Sequence, residues 1–266
     1  MSSDIWTRCG GDSEIRPLRL RPWRVVESQH QVATRRLVDT LDEQVLLEKL
    51  IDSAKPPDNT RGRQHYLLST PFRYPPLPYG SRFGSAHERG IWYGAESVAT
   101  AMAEVAYYRL VFLEGTTAGL GRVSMDLSAF RASARTARGI RLTLPPFAEA
   151  RARISSPVSY AASQSLGAAM REAGVELCTF HSARDPLGGV NVAAFTPRVF
   201  GRSEPRDFQS WRSLVERSGV EMVRRDAASR DVLEFPRKLF LVKGKLPMPG
   251  LGGPIESSRG LQSGKG

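Results

Sequence analysis

The chain has 266 residues, of which 41% are hydrophobic, enough for a real core in one large domain or two small ones. Its formal net charge is +11, and its two cysteines, Cys9 and Cys178, have neither paired nor metal-ligand spacing, which argues against a disulfide framework or a zinc site. No apolar run approaches the roughly 18 residues of a membrane span, and the N-terminus lacks the apolar stretch of a secretory signal, so a soluble cytoplasmic protein is expected. The basic excess suits a nucleic acid, an acidic protein partner, an anionic small molecule or simply a solvated surface. No helix-turn-helix, zinc-finger or RNA-binding signature accompanies it, so direct nucleic-acid binding is not expected.

In chain order, residues 1–15 are rich in Ser, Gly and charge without an apolar period and read as a disordered tail. Arg24 to Gln29 reads as a first strand through Val25 and Val26. Val38, Leu41, Val45, Leu46 and Leu50 then follow a helical period that Pro56 and Pro57 must end. HYLLSTPFRY has strand-like residues, and a Pro/Gly loop after it carries two arginines, Arg73 and Arg82. GIWYGAE predicts a short strand with Trp92 and Tyr93 on opposite faces, since side chains alternate. A helix over Ser97 to Leu110 follows, with a narrow seam of Ala99, Met102, Ala103 and Ala106 and with Glu104 beside that seam.

RVSMDL alternates as a strand, whereas SAFRASARTARGIRL fits a loop or a short helix equally. PPFAEARARISS predicts a short helix begun by proline, and SYAASQSLGAAMREAG a longer one closed by Gly174. VELCTFHSARDPLGGVNVAAF predicts a strand, a turn at Asp185–Gly189 and a second strand, with Ser182 at the end of the first. Residues 206–219 fit a short helix with Trp211, Leu214 and Val215, and VLEFPRKLFLVKGKLP a last strand. Residues 248–266 are Gly, Ser and Pro with little to bury and read as a second disordered tail, leaving 16–247 as one domain.

Arg82, Tyr93 and Glu104 are each eleven residues apart. A guanidinium binds phosphate oxygens, an aromatic face stacks on a cationic ring, and a carboxylate holds a ribose hydroxyl beside an oxocarbenium-like centre. Together they suit nicotinamide adenine dinucleotide (NAD). Each has a plainer reading: Tyr93 as a half-buried core residue, Glu104 as a solvated charge or partner of Arg109, Arg24 as a surface charge, and Arg73 as the phosphate contact in place of Arg82. Ser182 fits either a turn cap or a hydroxyl that orients substrate or Glu104. A serine nucleophile is disfavoured because His181, next to it in a strand, points the other way. GGVN is a weak phosphate-cradle signal, without the strand–loop–helix context of a dinucleotide fold.

The runs GSRF, GIWYGAE and TAMAEVAYYR, followed by FHSARDPLGGVNVAAF, resemble the RES domain family, toxins of bacterial toxin–antitoxin pairs named for an arginine, a glutamate and a serine. The resemblance extends from about residue 20 to about 247 and aligns those three with Arg82, Glu104 and Ser182, and an earlier family arginine with Arg24. Strands and helices interleaved without a regular β-α-β rhythm predict one α+β domain on a mixed, mainly antiparallel sheet, and the resemblance implies a split sheet with flanking helices, similar to diphtheria-type ADP-ribosyltransferases. It also implies cleavage of NAD, consumed as substrate, with no cofactor or metal. Catalytic roles fall to Glu104, Arg82, Tyr93 and Ser182, and dinucleotide binding to Arg24, Arg82 and Tyr93. The acceptor stays open between water, phosphate and a protein. A separate antitoxin of Xre type is the implied partner, with self-association or a toxin–antitoxin complex both open. The rival expectation is a basic regulatory or binding module whose enzyme-like cleft goes unused.

Overall fold

The computed structural model describes residues 4–28, 64–74, 78–116, 121–226 and 231–249. The helix expected around Val38 to Leu50, and the second tail from residue 250 on, lie outside them. The strands are β1 (Arg16–Leu20), β2 (Trp23–Glu27), β3 (Trp92–Ala95), β4 (Val123–Arg131), β5 (Ala134–Arg141), β6 (Leu177–His181), β7 (Val190–Ala194), β8 (Arg206–Glu216), β9 (Gly219–Arg224) and β10 (Val232–Pro236). The α-helices are α1 (Asp4–Arg8), α2 (Tyr66–Ser69), α3 (Val98–Gly115), α4 (Arg151–Ile154) and α5 (Ala161–Glu172).

The strands form a mixed sheet in the order β1-β5-β6-β7-β3-β2-β4-β8-β9-β10, antiparallel throughout except where β5 runs parallel to β6. The α+β class and the mainly antiparallel sheet expected from the sequence therefore hold. The sheet is split in the middle: β2 and β3 share a single paired position, Trp23 with Ala95. On one side of that seam lie β1, β5, β6, β7 and β3, and on the other β2, β4, β8, β9 and β10.

Three hydrophobic cores form among the described residues, two of them beneath helices α3 and α5 and the third around Trp92, Phe130 and Phe200. Helix α3 buries Met102, Ala106, Leu110 and Leu113 against Leu127, Trp211 and Met222. Its start is fixed by Ser97, whose hydroxyl accepts the Thr100 N–H at 3.0 Å. Helix α5 packs Leu166, Ala169 and Met170 with Phe83, Phe147 and Phe180 over the other half. Here Gly167 has a specific task, since a Cβ at that position would lie 2.0 Å from the Phe83 carbonyl oxygen. The missing side chain lets α5 press against the loop that carries Arg82. The positive φ of 69° at Gly174 closes the end of α5 in the way its sequence predicts.

Several elements differ from the sequence-based expectation. Residues 4–14 are not a disordered tail: Ile5 and Trp6 of α1 are buried in the α5 core, with Trp6 against Phe147. HYLLSTPFRY is helical, with α2 running into a 3-10 turn at Thr70–Phe72. His65 caps it by accepting the Leu67 N–H at its ring nitrogen, and Leu68 is fully buried. SAFRASARTARGIRL is neither loop nor helix but the end of β4 and all of β5. Residues 206–216 form the long strand β8 instead of a helix, and Trp211, Ser213 and Val215 alternate into the core.

Candidate active site

A cavity of about 670 Å³ opens at the seam between the half-sheets, a volume in the range of small-molecule sites. Its walls include Arg24 from β2, Tyr93 from β3, Glu104 from α3, Asn191 from β7 and Arg82 from the preceding loop. Six tyrosines face it, Tyr74, Tyr79, Tyr93, Tyr107, Tyr108 and Tyr160, out of seven in the chain. A smaller hollow of about 240 Å³ near Leu110 and Leu113 has its Arg237 paired with Glu114 at 2.9 Å and holds none of the candidate residues.

Glu104 is the centre of a short polar network. The Ser182 hydroxyl donates to its Oε1 at 2.7 Å and the Asn191 side-chain amide donates to the same oxygen at 2.6 Å. The reading of Glu104 as a partner of Arg109 fails, because Arg109 pairs with Glu27 on β2. Ser182 is 5% exposed, and besides giving its proton to Glu104 it accepts the N–H groups of Arg184 and Asp185. Both roles considered for this serine are therefore realised at once: it caps the turn and orients the carboxylate. His181 turns away and meets the Gly188 carbonyl, so no serine–histidine pair forms.

The turn between β6 and β7 is tied to the start of α3. Thr100 donates its hydroxyl to Asp185 at 2.7 Å, and a Cβ at Gly189 would fall 2.1 Å from the Thr100 oxygen. Glycine there lets the turn seat directly on α3 and holds Ser182 and Asn191 against Glu104. GGVN thus serves close packing and delivers Asn191; its glycines do not line the cavity.

Arg82 is 8% exposed, with Nη1 donating to the carbonyls of Ile154 and Ser156, each at 3.1 Å, and with its guanidinium 4.9 Å above the Tyr160 ring. One terminal nitrogen anchors the fork while the residue still lines the cavity. Arg73 does not line it. Tyr93 combines the two readings offered for it. Its ring lines the cavity edge-on to Phe180, and its hydroxyl meets Ser81 at 3.0 Å and accepts the Phe83 N–H at 3.1 Å, bracketing Arg82. Burial pushes the Tyr93 phenol well above its ordinary pKa and that of Tyr107 up to about 12.

Arg24 sits differently from the others. Trp92 and Tyr93 do point to opposite faces, as alternation requires, and Arg24 is on the Trp92 side with its guanidinium 5.2 Å from that ring. It reaches the cavity wall at the seam, where it donates to the Tyr93 carbonyl at 3.3 Å. Burial pulls its pKa down to about 10.

Four further residues contribute for which the sequence analysis offers no role: Asn191 has no local signature in GGVN, Tyr107 and Tyr108 stand as a pair in AYYR without a distinguishing pattern, and Arg184 lies just ahead of the expected turn at Asp185–Gly189. Arg184 is buried, with its guanidinium 3.5 Å from the Tyr107 ring centre and a bond to the Pro157 carbonyl. Tyr107 in turn donates its hydroxyl to the Pro247 carbonyl, which draws the segment ending in Met248 and Pro249 onto the cavity wall.

No curated protein matches the chain. Among solved structures, the M. tuberculosis MbcT–MbcA toxin–antitoxin complex is similar at 13% identity and a TM-score of 0.46, over 77% of this chain and 90% of that one. The family model described as RES domain matches residues 56–213, from ahead of α2 into β8 and through every cavity element except β2 and the C-terminal segment. Since that match covers more than half of the sequence and contains Arg82, Tyr93, Glu104 and Ser182, the chain belongs to the RES domain family.

Proposed function

We propose that this protein is a toxin-type enzyme that cleaves the bond between nicotinamide and ribose in NAD. The observation that carries the reading is Glu104, held by Ser182 and Asn191 on the wall of a cavity that also contains Arg24 and Arg82. Membership of the RES family supports the toxin role.

In this mechanism Arg82 binds the diphosphate and Arg24 adds positive charge at the seam. The Tyr93 ring packs against the nicotinamide. Both hydrogen bonds from the protein fall on Oε1 of Glu104, so Oε2 is the oxygen turned to a ribose hydroxyl. As the C–N bond breaks, its electron pair leaves with nicotinamide, which departs neutral. Positive charge then develops on the ribose and is stabilised by the nearby carboxylate. A cationic leaving group needs no general acid, which is why one carboxylate is sufficient where glycosidases use two. Water, phosphate or a protein side chain captures the ribosyl cation. NAD is consumed as substrate, and no step calls on a metal or a resident cofactor.

A separate antitoxin of Xre type is the proposed partner, one that blocks the cavity and keeps the enzyme inactive. The test of the whole reading is nicotinamide release from NAD by the purified protein. Glu104→Gln is expected to lower it at least about 100-fold, the scale of losing a stabilising group in the transition state. Release unaffected by the substitution would remove Glu104 from the mechanism. A wild-type protein that releases nothing would leave the cavity to a binding role.

A further inference from the structure

The amide of Asn191 contains an acceptor that no group among the described residues satisfies. The residue is 4% exposed, its Nδ2 donates to Glu104, and its Oδ1 is buried without a hydrogen-bond partner. The orientation of the amide is fixed by chemistry: turned over, Oδ1 would face a carboxylate oxygen with no proton between them. Its paired neighbours in the sheet, Ala95 and Phe180, bring no side-chain donor. A buried carbonyl oxygen without a donor is costly and rare in native folds. Asn191 lines the cavity, so a donor can arrive with a ligand.

We propose that Asn191 is a substrate-contacting residue whose Oδ1 accepts a hydrogen bond from one hydroxyl of a ribose vicinal diol while Oε2 of Glu104 accepts from the other. The inference rests on the NAD reading and deepens it by naming the group recognised. The two acceptors belong to side chains joined by one hydrogen bond, Asn191 Nδ2 to Glu104 Oε1, so two hydroxyls on neighbouring carbons are the donors proposed for them. The ionised diphosphate of a dinucleotide has no donor to offer them. A cation is disfavoured because Arg24 and Arg82 line the same cavity. Asn191 therefore acts twice: it steadies Glu104 through Nδ2 and reads the sugar through Oδ1.

The experiment is calorimetric titration with ADP-ribose and with its 2-deoxy and 3-deoxy analogues at the terminal ribose, run beside nicotinamide release from NAD. Wild type is expected to bind each deoxy analogue about 10-fold more weakly than ADP-ribose, one for want of the hydroxyl that meets Glu104 and the other for want of the hydroxyl that meets Asn191. Asn191→Ala is expected to lose about 10-fold in ADP-ribose affinity and to treat one analogue, the one lacking the hydroxyl that meets Asn191, and its parent alike. Ser182→Ala, which also removes a donor to Glu104, keeps the discrimination. An Asn191→Ala protein that releases nicotinamide poorly but still discriminates would mean that Asn191 only positions Glu104, and the proposal fails while the NAD reading stands. Wild type that binds both deoxy analogues as tightly as ADP-ribose overturns the proposal without recourse to any variant. Wild type that neither binds ADP-ribose nor releases nicotinamide overturns the NAD reading and this inference together.

Discussion

Ser182 and Glu104 are joined by a 2.7 Å hydrogen bond in which the serine hydroxyl is already fully engaged. Its proton goes to the carboxylate, and its oxygen accepts two backbone N–H groups, from Arg184 at 3.0 Å and Asp185 at 2.9 Å. A hydroxyl has one proton and two lone pairs, so none is left for attack on a substrate. Ser182→Ala should therefore lower kcat about 10- to 100-fold by loosening Glu104, with KM within about 3-fold, and should cost about 1–3 kcal/mol of stability by orphaning two buried donors. Steady-state kinetics and thermal unfolding check both parts. A fluorophosphonate probe should leave wild type unlabelled; labelling at Ser182 would restore the nucleophile.

Tyr93 and Arg82 form a second linked pair, because the Tyr93 hydroxyl holds Ser81 and Phe83 on either side of the arginine. Tyr93→Phe keeps the ring and removes the anchor. It should lower stability by about 1–2 kcal/mol and raise KM for NAD several-fold, with kcat little changed. Arg82→Lys tests the fork itself. Lysine keeps the charge but cannot reach the Ile154 and Ser156 carbonyls and an anion with one planar group. Its KM should rise by about 10-fold or more; a lysine variant with the wild-type KM would show that charge alone suffices.

What the sequence made legible follows from how local each signal is. Arg82, Tyr93 and Glu104 fall in one continuous loop–strand–helix stretch, so their order and context carry them. Asn191 meets Glu104 across 87 residues of sequence, and an asparagine in a strand has no pattern of its own. The β8 strand was hidden by Ser213, a fully buried polar residue between Trp211 and Val215. With a serine in the inward row, the period of two disappears, and the spacing of Trp211, Leu214 and Val215 imitates a helix. The first helix was invisible for a simpler reason: Ile5 and Trp6 are too few to show any period, yet the α5 core covers both. The split sheet itself came from the family resemblance, since pairing between distant strands leaves no local trace.

Arg24 supplies a pH test. Burial lowers its pKa to about 10, so the guanidinium is a cation below that value and loses its charge as pH rises through it. An anion-binding contribution from Arg24 is then complete from pH 6 to 9 and falls above about 10. KM for NAD should be flat across the first range and rise beyond it, more steeply than for Arg24→Ala, whose KM starts higher. Initial rates in overlapping buffers, with circular dichroism to confirm folding at each pH, make the comparison. Equal alkaline behaviour in the two proteins would take Arg24 out of binding and leave it as a packing residue beneath Trp92.

Gly189 tests whether the β6–β7 turn aligns the site from a distance. A methyl group there would lie 2.1 Å from the Thr100 Oγ1 and 2.3 Å from the Asp185 Oδ2, the two atoms whose hydrogen bond locks the turn to α3. Gly189→Ala must push the turn outward, at a cost of about 1–3 kcal/mol. Because the Ser182 N–H donates to the Gly189 carbonyl at 2.7 Å, the serine should move with it and slacken its hold on Glu104. The expected result is a lower kcat with a smaller change in KM, together with a lower Tm. Thr100→Ala removes the hydroxyl that collides with the new methyl group, so the double variant should recover part of the lost stability. Its kcat should also recover in part if the turn settles back onto α3. Strictly additive losses in the double variant would mean that the two positions do not share this contact, and the alignment argument for Ser182 would fall with it.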